Sequence, residues 1–201
     1  MPNPSLAIII LAAGFSRRLG TPKQLVYFRG KPLVQHVIET ALQLGHGAPI
    51  LVVNNRVDLS QAVADLKIKT LLNSEAERGI GASLKCGIAE ALNKGYDASL
   101  VLLADQPFIQ LGHLQRLITN WVGRPDAIVA TSYPDGQPGV PCIIPSSMYG
   151  KIANLHDSKG AKEIIRGHFL VHSEALDESS LFDLDTPEDF RRLKEIEAFQ
   201  S

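Results

Sequence analysis

The chain has 201 residues, 45% of them hydrophobic and 20% charged, and 20 Lys and Arg against 21 Asp and Glu leave a formal net charge of −1. That near-neutrality, with no long Lys/Arg block, excludes a surface built to grip nucleic acid, and no apolar run approaches the roughly 18 residues of a spanning helix. The length supports a core that needs neither disulfide nor structural metal, so one domain over residues 1–201 is the economical organisation.

The first element expected is a buried parallel strand at Leu6–Leu11, a continuous apolar run rich in isoleucine. The five residues before it carry no charged side chain and the first Arg follows the run, so the N-terminus reads as part of a cytoplasmic protein rather than as a signal peptide. Runs of the same character at 50–53, 100–103 and 127–130 alternate with helical stripes over 33–42, 59–66, 84–92 and 111–118. After a Pro/Gly-rich turn at 133–139, a strand is expected at 140–144, then helices near 148–155 and 160–166 and a strand at 169–172. The last helix is announced by a capping box, Thr186-Pro187-Glu188-Asp189. Strand alternating with helix predicts a three-layer α/β fold with a mostly parallel, Rossmann-like sheet, whose ligands sit beyond the carboxyl ends of the strands.

Several side chains read as structure. Cys86 and Cys142 lie far apart with no C-x-x-C spacing and suit reduced, packed thiols. His168 and His172 have no third ligand nearby, Trp121 ends an apolar helical stripe, and no serine has nucleophile-elbow context.

Chemistry concentrates at residues 11–23, LAAGFSRRLGTPK. A buried strand opens into a loop with Gly14, Ser16 and Gly20, where backbone N–H groups can approach an anion, and the cations Arg17, Arg18 and Lys23 follow. The loop is neither a Walker A nor a G-x-G-x-x-G motif. A polyphosphate would satisfy its donors; a solvated basic turn is the plainer alternative. The first 38 residues hold five cations and no carboxylate, so the acids that offset them all lie downstream.

The pattern Leu11-Ala12-Ala13-Gly14-x-Ser16-x-Arg18-Leu19-Gly20-x-x-Lys23 resembles the signature of MobA-like nucleotidyltransferases, which activate phosphorylated substrates with an NTP and release pyrophosphate. The resemblance implies a nucleotide-diphospho-sugar transferase type of fold, a triphosphate wrapped by Leu11, Ala12, Ala13, Gly14 and Ser16, and charge neutralisation by Arg18 and Lys23. Three later segments are similar to the family's in order and spacing. Gly79-x-x-x-Ser83-Leu84-x-x-Gly87 implies a base and ribose site at Gly79 and Ser83. Asp105-Gln106-Pro107 implies a catalytic acid that holds Mg²⁺ at Asp105. Asp183-x-Asp185-Thr186-Pro187 implies a second metal contact at Asp185 with help from Asp183. The residues themselves also allow a helix start at Gly79 and a helix cap or turn at Asp105.

Pro22-Lys23-Gln24-Leu25 and the upstream Ala-Ala-Gly resemble the molybdenum cofactor cytidylyltransferases among these enzymes. So do Gly136-x-x-Gly139-x-Pro141 and Asp157-x-Lys159-Gly160-Ala161, although Val140 replaces a residue often polar or aromatic and Ser158 is inserted. The resemblance implies substrate contacts at Gly139, Pro141 and Lys159, where Lys159 is equally well read as a solvated helix-start lysine. The expected activity is Mg²⁺-dependent transfer of CMP from CTP to the phosphate of molybdopterin, with a molybdoenzyme or its chaperone as downstream partner. The alternatives are GTP as donor, another phosphorylated acceptor (sugar phosphate, alcohol phosphate or a phospholactate-like acid), and a non-catalytic cofactor-binding chaperone.

Overall fold

The computed structural model describes residues 4–16, 19–168, 171–176 and 182–199. Its strands are β1 (Leu6–Leu11), β2 (Tyr27–Phe28), β3 (Lys31–Pro32), β4 (Ile50–Val53), β5 (Lys69–Leu72), β6 (Ala98–Leu103), β7 (Ile128–Ser132), β8 (Pro138–Pro145) and β9 (Val171–Ala175). Its helices are α1 (Leu33–Leu42), α2 (Ser60–Val63), α3 (Ile80–Asn93), α4 (Leu111–Val122), α5 (Tyr149–Ala153), α6 (Ala161–Arg166) and α7 (Pro187–Phe199). The main sheet runs β5-β4-β1-β6-β8-β7-β9, and β2 and β3 form a separate hairpin.

Every neighbouring pair in the main sheet is parallel except those made by β8, which runs antiparallel to both β6 and β7. This reversal positions the site. Because β8 enters where its neighbours end, Gly139 to Pro141 lie at the carboxyl edge of the sheet beside the end of β1 and β6.

The apolar run of β1 is buried on both faces, as expected of a central parallel strand. Successive side chains point to opposite faces, so Leu6, Ile8 and Ile10 join α1, α2 and α4 while Ala7, Ile9 and Leu11 join α3, α5 and α6. Those are the two helical layers, and each fully buried Ile or Leu contributes about 1.5–3 kcal/mol. A third cluster of Val26, Phe28, Leu33, Phe182, Leu184 and Leu193 docks the C-terminal helix on the hairpin. Trp121 is 1% exposed and belongs to the core. Both cysteines are free thiols, and full burial pushes Cys142 up to about 12.

Two expectations needed adjustment. β5 was not foreseen: it is an edge strand with mostly exposed residues, so it lacks the apolar signature of its neighbours. The stripe expected at 59–66 contracts to the single turn of α2. The strand expected at 169–172 is seen as β9 from Val171 onward, while residues 169 and 170 lie outside the described residues. Among the described residues no helix is long and apolar enough to cross a membrane.

Candidate active site

Where β1 ends, its loop is tied down by side-chain amides. Gln24, 1% exposed, donates from Nε2 to the carbonyls of Ala12 and Gly14, both at 2.7 Å. Asn54 donates from Nδ2 to the Ala13 carbonyl at 3.1 Å, and its own Oδ1 accepts the N–H groups of Arg56 and Val57. In a planar trans peptide the C=O of one residue and the N–H of the next point in opposite directions. With the carbonyls of Ala12, Ala13 and Gly14 drawn toward the two amides, the N–H groups of Ala13, Gly14 and Phe15 are turned the other way.

Ser16 closes the loop rather than opening it to a ligand. Its φ is +50°, its carbonyl accepts the N–H groups of Leu19 and Gly20, and its Oγ accepts the Lys23 N–H at 3.0 Å. This brings the Lys23 side chain over the sheet edge, where Nζ hydrogen-bonds Asp105 Oδ2 and, at 2.9 Å, Asp185 Oδ1. Burial works to lower the Lys23 pKa, but the two carboxylates outweigh it and the net direction is up from the ordinary 10.5.

The acids reach this point by two routes. Asp105 follows β6 and is 8% exposed. Along 182–185 burial alternates, with Phe182 and Leu184 in the third core cluster and Asp183 and Asp185 turned outward. The Leu184 N–H donates to the Asp105 carbonyl, joining the two segments. The capping box extends the same anchoring: Asp189 Oδ2 accepts from the N–H groups of Thr186 and Asp185, and the Asp189 N–H returns to Thr186 Oγ1. Desolvation in the cleft, together with the neighbouring Asp105 and Asp185 carboxylates, raises the Asp183 pKa, against the opposing hydrogen bond from Gln106 and the charge of Lys23.

Two cavities meet here. The first, about 320 Å³, is lined by Ala13, Gly14, Lys23, Gln24, Ser83 and Asp105 among others. The second, about 550 Å³, is lined by Tyr133, Val140, Gly160, Lys162 and Asp183 among others. Leu11, Ile80 and Leu103 belong to both, so they form the common wall.

Comparison with known proteins agrees with this geometry. Residues 8–175 match the MobA-like NTP transferase domain. The chain is 30% identical to the purine catabolism protein PucB of Bacillus subtilis, over 94% of this chain and 96% of that protein. It is 31% identical to the nicotine blue oxidoreductase of Paenarthrobacter nicotinovorans, over 94% and 97% of the two chains. Among solved structures, Rv0371c of Mycobacterium tuberculosis superposes with a TM-score of 0.82 at 30% identity, covering 97% of this chain and 100% of that one. A second crystal structure of Rv0371c, in complex with manganese, gives a TM-score of 0.79 at 27% identity, with 95% and 98% coverage.

The chain belongs to the MobA-like NTP transferase family. It is thus a nucleotidyltransferase, with the mostly parallel three-layer fold its sequence predicted.

Of the residues expected from the MobA-like signature, Leu11, Ala13, Gly14, Gly79, Ser83, Lys23 and Asp105 all line the first cavity. Ala12 is buried behind it, and Arg17 and Arg18 lie outside the described residues. Ser83 Oγ accepts a hydrogen bond from Asn73. Gly79 and Gly81 are glycines because the backbone of 156–159 passes directly over them. A Cβ on Gly79 would lie 2.5 Å from the Asp157 carbonyl oxygen, and one on Gly81 would lie 2.7 Å from that of His156. The Gly81 N–H donates to the Asp157 carbonyl at 2.8 Å, while the Asp157 carboxylate pairs with Arg78 and Lys85. The segment expected to touch substrate through Lys159 is instead a brace on the start of α3. Lys159 lines neither cavity, and its ammonium lies 3.6 Å from Glu163 on an exposed face.

Gly139 and Pro141 also act indirectly. Pro141 offers its carbonyl to Thr131 Oγ1 at 2.7 Å, and a Cβ on Gly139 would lie 2.9 Å from Tyr133 Cε2. Gly139 therefore makes room for the ring that walls the second cavity. Tyr133 itself is locked, because its hydroxyl donates to the Val140 carbonyl and accepts from Gln106 Nε2; burial pushes its pKa up to about 12. It is a wall and not an acid.

Sequence reasoning passed over Gln24, Asn54, Tyr133, Gln106 and Ile80. Gln24 had a usable signal, a polar amide between the cationic Lys23 and the apolar Leu25, but nothing local reveals which carbonyls it binds.

Proposed function

We propose that the chain transfers CMP from CTP to the terminal phosphate of molybdopterin and releases pyrophosphate, as one catalytic domain. The observation that carries this reading is the Lys23 ammonium bridging Asp105 and Asp185 at a cavity that also holds Gly14, Gly79 and Ser83 and shares a wall with a second, larger one. The N–H groups of Ala13, Gly14 and Phe15 bind the triphosphate, and the cavity beside Gly79 and Ser83 takes ribose and base. Lys23 neutralises charge on the α-phosphoryl oxygens, and Arg18 is assigned the same work on the departing pyrophosphate. An acceptor phosphate is already an anionic nucleophile, so catalysis consists of in-line positioning and charge neutralisation with no general base.

The acids fit a divalent cation. Asp105 and Asp185 already converge on one positive charge, that of Lys23, and Asp183 adds a third carboxylate whose raised pKa reflects desolvation and uncompensated like charges. Among the described residues no group of three His, Cys, Asp or Glu is placed to hold a metal ion by itself, so the cation is assigned to Asp105 and Asp185 on the family reading. Manganese in the Rv0371c complex supports a divalent metal, and we assign Mg²⁺, held by Asp105 and Asp185, to this chain. Such a metal, when bound, supplies electrostatic stabilisation of phosphoryl charge.

The test is pyrophosphate release with Mg²⁺, each of the four NTPs and molybdopterin, followed by sugar phosphates and other phosphorylated acceptors. CTP with molybdopterin should give the highest rate, and a chelator should abolish it. Nucleotide binding without pyrophosphate release on any acceptor would instead support a cofactor-binding chaperone.

A further inference from the structure

The second cavity has two acids on its lining, Asp135 and Asp183, and one cation, Lys162. An anionic acceptor entering it meets net negative charge, so the disposition of that one cation matters. Lys162 is the second residue of α6, whose Ala161, Ile164 and Ile165 are buried against the sheet and set the helix's rotation. The lysine stem then runs along β8: its Cε lies 3.5 Å from the point a Gly139 Cβ would occupy, and Nζ stands 6.0 Å from the centre of the Tyr133 ring. No carboxylate among the described residues pairs with this ammonium. Lys159, three residues earlier, points away and is matched with Glu163.

The surrounding wall narrows what could approach. Leu11, Ile80, Leu103, Val140 and the Tyr133 ring are apolar, and the Tyr133 hydroxyl is occupied by Gln106 and Val140. A ligand therefore finds a mainly apolar surface for its body, interrupted by the amides of Gln106 and Gln137 and the two acids, and one cation without a carboxylate partner for its charge.

We propose that Lys162 is the specificity-determining residue for the acceptor: its ammonium holds the acceptor's phosphate from the side opposite Lys23, while Tyr133 and Val140 receive a flat or apolar body. The acceptor class is thus a phosphate ester of an apolar or aromatic group rather than of a free sugar. This rests on the nucleotidyltransferase reading above, and it adds that Lys162 replaces Lys159 in acceptor recognition.

The test uses phenyl phosphate as a probe. Its affinity is measured calorimetrically on the full chain with the first cavity saturated by Mg²⁺ and a non-hydrolysable CTP analogue. Wild type should bind it more tightly than glucose 1-phosphate; Lys162→Ala should weaken binding at least tenfold, Lys162→Arg should restore most of it, and Lys159→Ala should stay within twofold of wild type. CTP-analogue affinity should be unchanged in all three variants, which also shows that each is folded. Equal affinity in Lys162→Ala and wild type overturns the proposal. So does no binding of phenyl phosphate to wild type, or a loss in Lys159→Ala as large as that in Lys162→Ala. Failure of the underlying reading is a separate outcome, seen as no CTP-analogue binding or no pyrophosphate release by wild type.

Discussion

The two cavities share a wall of Leu11, Ile80 and Leu103, yet they are made of different material. On the side of the first cavity the loop backbone of residues 12–14 is held by the buried amides of Gln24 and Asn54, with Lys23, Ser83 and Asp105 on the same lining. On the side of the second cavity the lining is made of side chains: an aromatic ring, aliphatic groups, the amides of Gln106 and Gln137, two acids and a single lysine carried on the short helix α6. A backbone site cannot be altered by one substitution without moving the loop, whereas a side-chain wall changes one residue at a time. On the proposed reading, the donor's triphosphate meets the part held through the backbone and the acceptor meets the part that changes one side chain at a time.

The largest effect should come from Lys23, which lines the first cavity and bonds Asp105 and Asp185. Lys23→Ala should lower the turnover number in a pyrophosphate-release assay by about 100- to 1,000-fold, the range for deleting one preorganised charge donor. Asp105 and Asp185 raise the ammonium's pKa from its ordinary 10.5 against the opposing effect of burial, so its charge is in place throughout the neutral range. Far-UV circular dichroism should be unchanged. Turnover within a few-fold of wild type would remove the lysine from the mechanism.

Gln24 sharpens the contrast by acting on one side. Replacing it with Leu keeps the volume but leaves the Ala12 and Gly14 carbonyls without their amide donor. Leaving buried acceptors unpaired costs roughly 1–3 kcal/mol of stability, which denaturant unfolding would measure. The loop N–H groups lose their fixed orientation, so the KM for nucleotide should rise about tenfold while the KM for acceptor stays near wild type, a tenfold change being about 1.4 kcal/mol. A rise of both together would mean that the loop is not a separate donor-side device.

This division also accounts for what could be read from residues alone. The strand-to-loop transition after Leu11, the acid after β6 and the capping box at Thr186 are local patterns, and local patterns carry to structure directly. The D-x-D spacing was readable for the same reason, since alternation along 182–185 sends both acids to one side. The acceptor side depends on contacts between distant segments: β8 reversed within a parallel sheet, Gly139 under Tyr133, and residues 156–159 lying across Gly79 and Gly81. The family resemblance of the Asp-x-Lys-Gly-Ala segment implies a substrate contact at Lys159, with a solvated helix-start lysine as the equal alternative. The glycine contacts show the segment to be a brace, and a brace leaves its lysine facing solvent.

That brace gives the smallest effect and the one most specific to the comparison, because it connects the two sides without belonging to either ligand. The Asp157 carboxylate lies between Arg78, at 2.6 Å, and Lys85. The Lys85 hydrogen bond, together with the charges of Arg78 and Lys85, holds its pKa below the ordinary 3.8. A carboxyl with a depressed folded pKa contributes stability that is fully present above its unfolded value of about 4 and is lost as pH falls through the folded pKa. Asp157→Asn should therefore lower the melting temperature slightly at neutral pH, and the gap from wild type should close as pH falls through the depressed folded pKa, where wild type loses the same contribution. The Gly81 N–H still finds the residue 157 carbonyl in this variant, so turnover should change by less than about threefold, as for the loss of a partly solvated ion pair. A gap that persists unchanged in acid would mean that residues 156–159 hold α3 through their backbone alone, with the carboxylate contributing nothing to the connection between the cavities.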